Sequence, residues 1–258
     1  MKILFIGDIF GSIGREMVDD YLHRIKNKYQ IDFVIANCEN ATHGRGMSKK
    51  HYDELSFVGV DCMTMGNHTF DNRELYDYID EADRLVVPFN QPKVLPGVGS
   101  RVFNVKGTKI RVTNCLGCVY MDYRNANPYD EIDKYLDMEC DIHIIDFHGE
   151  ATSEKITFAS YCSGKANAII GTHTHVQTAD ERVLRDVAFI SDVGMTGPYE
   201  SSIGIDLDLA AARMRGLNQK FAVAESSGQL CAVVIEIEDG KTKGIGRILI
   251  NDDHPFES

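Results

Sequence analysis

The sequence predicts an α/β chain in which two β-sheets pack face to face with helices outside. Three observations carry that prediction. Short, near-continuous apolar runs alternate with amphipathic segments over the first two-thirds of the chain, as expected of strands buried on both faces by βαβ crossovers. The end of the chain turns strand-rich, with Asp239-Gly240 between two alternating runs as a hairpin signal. The 258 residues contain no internal repeat and no Pro/Gly/Ser linker, so one domain over 1–258 is expected, long enough to bury a substantial core.

In chain order, residues 2–7 read as a buried strand. Residues 13–28 read as a helix, with Val18, Leu22 and Ile25 at helical spacing and Ser12 as N-cap. A second strand covers 33–38, a helix follows Ser48 to 58, a third strand covers 61–66, and a helix covers 72–83. Further apolar runs fall at 85–89, 101–105, 109–116, 142–147 and 167–171. Residues 183–193 and 229–250 are strand-rich, and 204–215 read as helical.

Charge and cysteine content narrow the function classes. The net charge of −12 repels an extended phosphate backbone, so long nucleic acid is excluded as a partner, whereas a small phosphate ester remains compatible where metals reverse the local charge. Seven cysteines, several of them inside apolar runs (Cys38, Cys62, Cys231), argue against a disulfide framework and for a reducing, cytoplasmic setting. The apolar start Ile3-Leu4-Phe5-Ile6 is cut off by Gly7-Asp8, too short for a signal-peptide core, and no apolar run reaches the length of a membrane span. Cys115 and Cys118 have redox-pair spacing but lack a second such pair or a thioredoxin-like context.

Five polar clusters follow predicted strands: Asp8, Glu39-Asn40, Asn67-His68, His148, and His173 with His175. The carboxyl ends of strands in an α/β sheet face a common crevice, so these groups can converge. Carboxylate, amide oxygen and imidazole together suit divalent Mn, Fe or Zn. A bridging carboxylate would hold two ions about 3.5–4 Å apart, and a water shared between them becomes the nucleophile of phosphoester hydrolysis. Taken singly, Asp8 reads equally as a helix cap, Glu39-Asn40 as a turn and His148 as an interior histidine; the set of five is what points to metals.

The pattern resembles the calcineurin-like metallophosphoesterases through Gly7-Asp8, Asn37-Cys38-Glu39-Asn40, Gly66-Asn67-His68, His148 and Gly171-Thr172-His173-Thr174-His175. It departs from the usual signature in two places, where Phe10 replaces the first-motif histidine and Glu39-Asn40 replaces Gly-Asp. Those departures are similar to the YmdB-like bacterial phosphodiesterases, and the likeness extends to Asp192-Val193-Gly194-Met195-Thr196-Gly197. The resemblance implies a four-layer α/β/β/α sandwich of two mixed sheets, a dinuclear iron or manganese site, and hydrolysis of 2′,3′-cyclic nucleotides. It assigns Asp8, Glu39, Asn40 and His175 to one metal and Glu39, Asn67, His148 and His173 to the other, with Asn40 standing in for the ligand missing at Phe10.

His68, adjacent to Asn67, is the candidate general acid, since histidine can protonate a leaving alkoxide near neutral pH. Asp71 reads either as a partner orienting that ring or as N-cap of the 72–83 helix. Arg45, in the glycine-flanked loop 42–46, is a phosphate-contact candidate or a solvated turn residue, and Tyr199 is a candidate for stacking on a base. The competing readings are another phosphoester substrate class, such as a nucleotidase or general phosphodiesterase, and a metal-binding regulatory protein with incidental turnover. Homo-oligomerisation stays open.

Overall fold

The computed structural model describes residues 1–121 and 125–257. In chain order the elements are β1 (Lys2–Ile6), β2 (Asp8–Ile9), α1 (Gly11–Tyr29), β3 (Phe33–Asn37), α2 (Lys49–Val58), β4 (Cys62–Thr64), α3 (Leu75–Tyr78), β5 (Leu85–Val86), β6 (Ser100–Val105), β7 (Thr108–Leu116), α4 (Pro128–Leu136), β8 (Ile142–His148), α5 (Thr152–Tyr161), β9 (Ala168–Thr172), β10 (Arg182–Leu184), β11 (Val187–Ile190), β12 (Met195–Pro198), α6 (Leu207–Met214), β13 (Gly228–Glu238) and β14 (Lys241–Ile250). One mixed sheet runs β2-β12-β13-β1-β3-β4-β5, with β14 also paired to β13, and the other runs β10-β11-β9-β8-β7-β6.

Alternation along each strand sorts side chains into three apolar layers. Ile3, Phe5, Ile35 and Val233 of the first sheet meet Val112, Ile144, Ile170 and Ile190 of the second, forming the inter-sheet core. On the outer face of the first sheet, Leu4, Val34 and Met63 pack with Val18, Leu22 and Ile25 of α1 and Leu55 of α2. On the outer face of the second, Ile145, Phe147 and Phe189 pack with Ile132 of α4 and Phe158 of α5. The result is the four-layer α/β/β/α arrangement of the calcineurin-like fold. Among the described residues, no helix is long and apolar enough to cross a membrane.

Several local expectations change. Ser12 does not cap α1: the helix starts at Gly11 after an uncapped Phe10. The amides of Phe10 and Gly11 donate instead to the Thr196 and Asn40 carbonyls, at 2.8 and 3.0 Å, so tertiary acceptors satisfy the helix start. The helix expected over 72–83 contracts to Leu75–Tyr78, flanked by i→i+3 turns such as Leu75 N to Asn72 O. A further strand, β12, follows the strand-rich stretch expected over 183–193. Helices α4 and α5 went unread in the sequence, although Asn127 caps Tyr129 N and Pro128 opens α4, both standard start signals. Ser48 caps α2 as expected, and Asp239-Gly240 turns the β13–β14 hairpin with both residues at positive φ, 50° and 69°.

His143 on β8 has a consequence for acid stability. It is 1% exposed, with Nε2 2.8 Å from the Thr113 hydroxyl. Burial, then the nearby Arg111, pushes its pKa from 6.5 down to about 3. The unfolded chain takes up this proton as pH falls through 6.5, whereas the folded chain refuses it until about 3. The group therefore leaves stability intact above 6.5 and subtracts from it progressively down to about 3, roughly 2 kcal/mol by pH 5. Urea unfolding at pH 7 and pH 5 should show a smaller acid-induced drop in His143→Asn than in the parent chain. Equal drops would refute the assignment.

Candidate metal centre

Strands β1, β3 and β4 are parallel neighbours in one sheet, and β8 and β9 in the other, so their carboxyl ends present five segments to one crevice. Asp8 opens β2 rather than following β1 as a loop residue, and β2 is pinned by β12 through the Asp8–Met195 pair. Glu39 and Asn40 follow β3, Asn67 and His68 lie beyond β4, His148 ends β8, and His173 and His175 follow β9.

Four donor atoms gather on one side of the crevice. His148 Nε2 lies 3.1 Å from Glu39 Oε1, 3.0 Å from Asn67 Oδ1 and 3.1 Å from His173 Nδ1. On the other side, Asp8 Oδ1 lies 3.7 Å from His175 Nε2, and the Asn40 amide is 3.3 Å from that nitrogen and 3.2 Å from Glu39 Oε1. Glu39 thus touches both groups, and its Oε2 accepts the His68 backbone N–H at 2.7 Å. Phe10 takes no polar part; its ring packs edge-on against His175 with centroids 5.6 Å apart.

Outer contacts orient these side chains. His148 Nδ1 is 2.9 Å from the Thr172 hydroxyl, which donates at 2.6 Å to Asp146 Oδ1, and Asn37 Nδ2 donates at 2.9 Å to Asp146 Oδ2. His175 Nδ1 donates to the Ile203 carbonyl at 3.0 Å, turning Nε2 toward Asp8. His173 Nε2 faces Glu150 at 3.3 Å, turning Nδ1 inward. His173 and His175 hold φ of 101° and 66°, strained for non-glycine residues. Thr174 N donates to Asp192 Oδ2 at 2.8 Å, and buried Lys155 bonds both that oxygen and the Thr172 carbonyl, bracing the strained loop. Asp146, Glu150, Ile203 and Lys155 were absent from the residues the sequence singled out, and Thr172 was read only as part of the Gly171–His175 motif.

Two glycines permit the approach. A Cβ on Gly66 would lie 2.4 Å from Glu39 Oε2 and 2.5 Å from His148 Nε2, and one on Gly171 would lie 1.8 Å from the Ser191 carbonyl oxygen. Cys38, between Asn37 and Glu39, points to the helix side of the sheet, where burial raises its thiol far above the usual range. Burial also raises the Cys115 and Cys118 thiols, and Glu154 accepts the Cys118 and Val119 amides.

The field of the site favours positive charge. Burial disfavours a charged His148, yet Glu39 and then Asp8 outweigh it and raise its pKa to about 9. Burial opposes ionisation of Asp8 too, and His175 and His148 overcome it and drive its carboxyl well below the usual range. Asp8 Oδ1 is nevertheless buried without a hydrogen-bond partner among the described residues. Such an oxygen is costly unless a cation satisfies it. Among the described residues, Glu39, His148 and His173 bring ligand atoms within 4.8 Å of one another. This mixed oxygen and nitrogen donor set fits borderline divalent metals.

Two cavities open beside this centre. One of about 340 Å³ is lined by Arg45, His68, Phe221, Glu150 and His175. The other, of about 570 Å³, runs from Asn67, His68 and His173 to Gln91, Pro92, Leu95, Leu116, Met121 and Asn125. His68 borders both, with Nδ1 2.8 Å from Asp71 Oδ2. Asp71 therefore contacts the His68 ring and caps no helix, because the helix that would begin at 72 starts later. Arg45 reaches the crevice, with its guanidinium 5.5 Å above the Phe221 ring and 3.6 Å from Asp71. Tyr199 is not brought in: it lines neither cavity, and its hydroxyl donates to Asp253 near the C-terminus because β12 carries it past the crevice.

Comparison with known proteins agrees with this architecture. Residues 4–248 match the family model described as YmdB-like protein. The chain is 45% identical over 263 residues to a 2′,3′-cyclic-nucleotide 2′-phosphodiesterase of Bacillus subtilis (strain 168), covering 99% of each chain. A crystal structure described as a novel phosphatase from Mycoplasma pneumoniae superposes with TM-score 0.92 at 39% identity, covering 97% of this chain and 93% of that one. A putative 5′-nucleotidase from Staphylococcus aureus shares the fold alone, with TM-score 0.59 at 14% identity over all of this chain and 55% of that one.

Proposed function

The chain belongs to the YmdB-like protein family, and on that premise we propose that it is a two-metal phosphodiesterase that opens 2′,3′-cyclic nucleotides to 3′-nucleotides. The observation that carries this reading is the convergence of Glu39, Asn67 and His173 donor atoms on His148 Nε2, at 3.0–3.1 Å, beside a histidine that binds none of them through its ring. Asp8, Glu39, Asn40 and His175 would hold one ion and Glu39, Asn67, His148 and His173 the other. Iron or manganese is the expected pair, and zinc suits the same donors. When bound, the ions supply an activated water and positive charge for the phosphoryl oxygens.

The residues of the chain supply the rest. Asp71 accepts from His68 Nδ1 and so leaves Nε2 as the nitrogen that protonates the departing ribose oxygen. Arg45 at the crevice mouth offers its guanidinium to a phosphate oxygen. The apolar wall of Phe10 and Phe221 excludes water from that side. Strain in the five-membered phosphate ring helps opening.

Protein loaded with manganese or iron should turn over 2′,3′-cyclic AMP faster than 3′,5′-cyclic AMP or a phosphomonoester, give 3′-AMP, and bind two ions per chain. Fewer than two ions at saturation together with no phosphodiester turnover would overturn the reading, and a preference for monoesters would move it to a nucleotidase. A second expectation concerns the support of His148. Thr172→Val keeps the shape but cuts the His148–Thr172–Asp146 chain, so metal affinity should fall about 10–100-fold, as for other outer contacts of metal-bound histidine. Titration with manganese checks this, and unchanged affinity would show that the hydroxyl orients nothing.

A further inference from the structure

The larger cavity beside the centre has a character the phosphate chemistry does not require. Its inner edge is Asn67, His68 and His173, which places the reacting phosphate at that end. Beyond them its lining is mixed: Phe70, Pro92, Leu95 and Leu116 are apolar, while Asp71 and Tyr120 are polar. Two amides, Gln91 and Asn125, also line it. Asn125 Nδ2 is a buried donor with no hydrogen-bond partner among the described residues. A buried unpaired donor is costly unless a ligand accepts from it, and such groups concentrate where ligands bind.

The walls are also held in place. Asn90 donates through Nδ2 to the carbonyls of Leu116 and Ala126, both at 2.7 Å, and accepts the Leu116 amide at 2.8 Å. Its own carbonyl accepts the Ala126 amide at 2.8 Å. This one buried side chain fastens the end of β7 to the residue following Asn125. Glu154 at the start of α5 accepts the Cys118 and Val119 amides at 2.9 and 3.1 Å and so holds the residues just after β7. A cavity of about 570 Å³ with apolar side chains and two amides beside His68 suits a nucleobase better than a second phosphate.

We propose that this cavity is the nucleobase subsite, with the Asn125 amide reading the base edge. An amide pairs a donor with an acceptor, which is how Asn and Gln match adenine. The inference rests on the cyclic-nucleotide reading above and goes beyond it by naming what selects the nucleoside. The smaller cavity, with Arg45 and Phe221, is the rival location.

The test compares 2′,3′-cyclic AMP with 1-O-methylribose 2′,3′-cyclic phosphate, which lacks only the base, using manganese-loaded protein. Asn125→Asp replaces the donor with an acceptor, and Leu95→Trp fills the slot. Each should raise KM for 2′,3′-cyclic AMP about tenfold at unchanged kcat, the loss of binding shared by ground and transition state, and leave the base-free substrate unaffected. Calorimetric affinity for 3′-AMP should fall by the same factor, while inorganic phosphate binds as before. Equal losses on both substrates, or a base-selective loss in Phe221→Ala with none in the other two variants, would overturn the proposal. If the parent protein turns over no cyclic nucleotide, the catalytic reading fails, and the 3′-AMP and phosphate titrations still decide the subsite.

Discussion

Glu39→Gln is expected to release both metals and lower phosphodiester turnover by at least about a thousandfold, roughly 4 kcal/mol of barrier. The carboxylate touches both donor groups, so removing its charge weakens two sites at once. Burial opposes its ionisation, but His148 and His68 outweigh that and hold its pKa down at about 2, so the native side chain is an anion throughout the neutral range. Glutamine keeps the size and loses the charge. Its NH2 must also face either the His68 N–H, a donor, or the crowded His148 edge. Metal analysis and steady-state rates on 2′,3′-cyclic AMP check the result. A variant retaining two ions per chain would remove Glu39 from its bridging place.

His68→Ala should separate proton transfer from metal binding. Its side chain contributes nothing to the converging donors, and the backbone N–H that holds Glu39 Oε2 survives the substitution. Metal content should stay at the parent level while kcat on 2′,3′-cyclic AMP falls about 10²–10⁴-fold, the range for a lost general acid. A p-nitrophenyl diester, whose leaving group needs no proton, should lose far less. Equal losses on the two substrates would assign His68 to positioning rather than proton donation. Asp71→Asn should produce a smaller drop with a weaker leaving-group dependence, because that carboxylate holds His68 Nδ1 and also lies 3.6 Å from the Arg45 guanidinium.

Much of the fold could be read from local signals. The runs at 2–7 and 33–38, the Ser48 cap and the Asp239-Gly240 turn each combine a hydrophobic period with a residue that starts or stops it, and these elements fall where expected. The misreadings have a different origin. Ser12 is a suitable cap by chemistry, but backbone carbonyls from Asn40 and Thr196 already take the amides at the helix start. The 72–83 segment has helical composition, yet only one turn forms between the site residues ending at Asp71 and the short β5.

The candidate site shows the same division. Its donor types and their positions after strands are covalent facts of the chain, and all seven proposed ligands face one crevice. The residues that steer them were illegible, because nothing in a sequence relates Thr172 to Asp146, or the Ile203 carbonyl to His175. Tyr199 looked as suitable as any aromatic residue until β12 carried it to Asp253.

By itself, the sequence determined the α/β class, the phosphoesterase chemistry of its donors and the acidic character of the chain. Only the tertiary structure decided which imidazole nitrogen faces inward, which aromatic residue reaches the crevice, and that a cavity lined by Leu95 and Asn125 adjoins His68. The reason is range: periodicity and donor chemistry are properties of neighbouring residues, whereas the His173 amide meets the Asp8 carboxylate across 165 positions. That contact exists only once two sheets have been packed against each other.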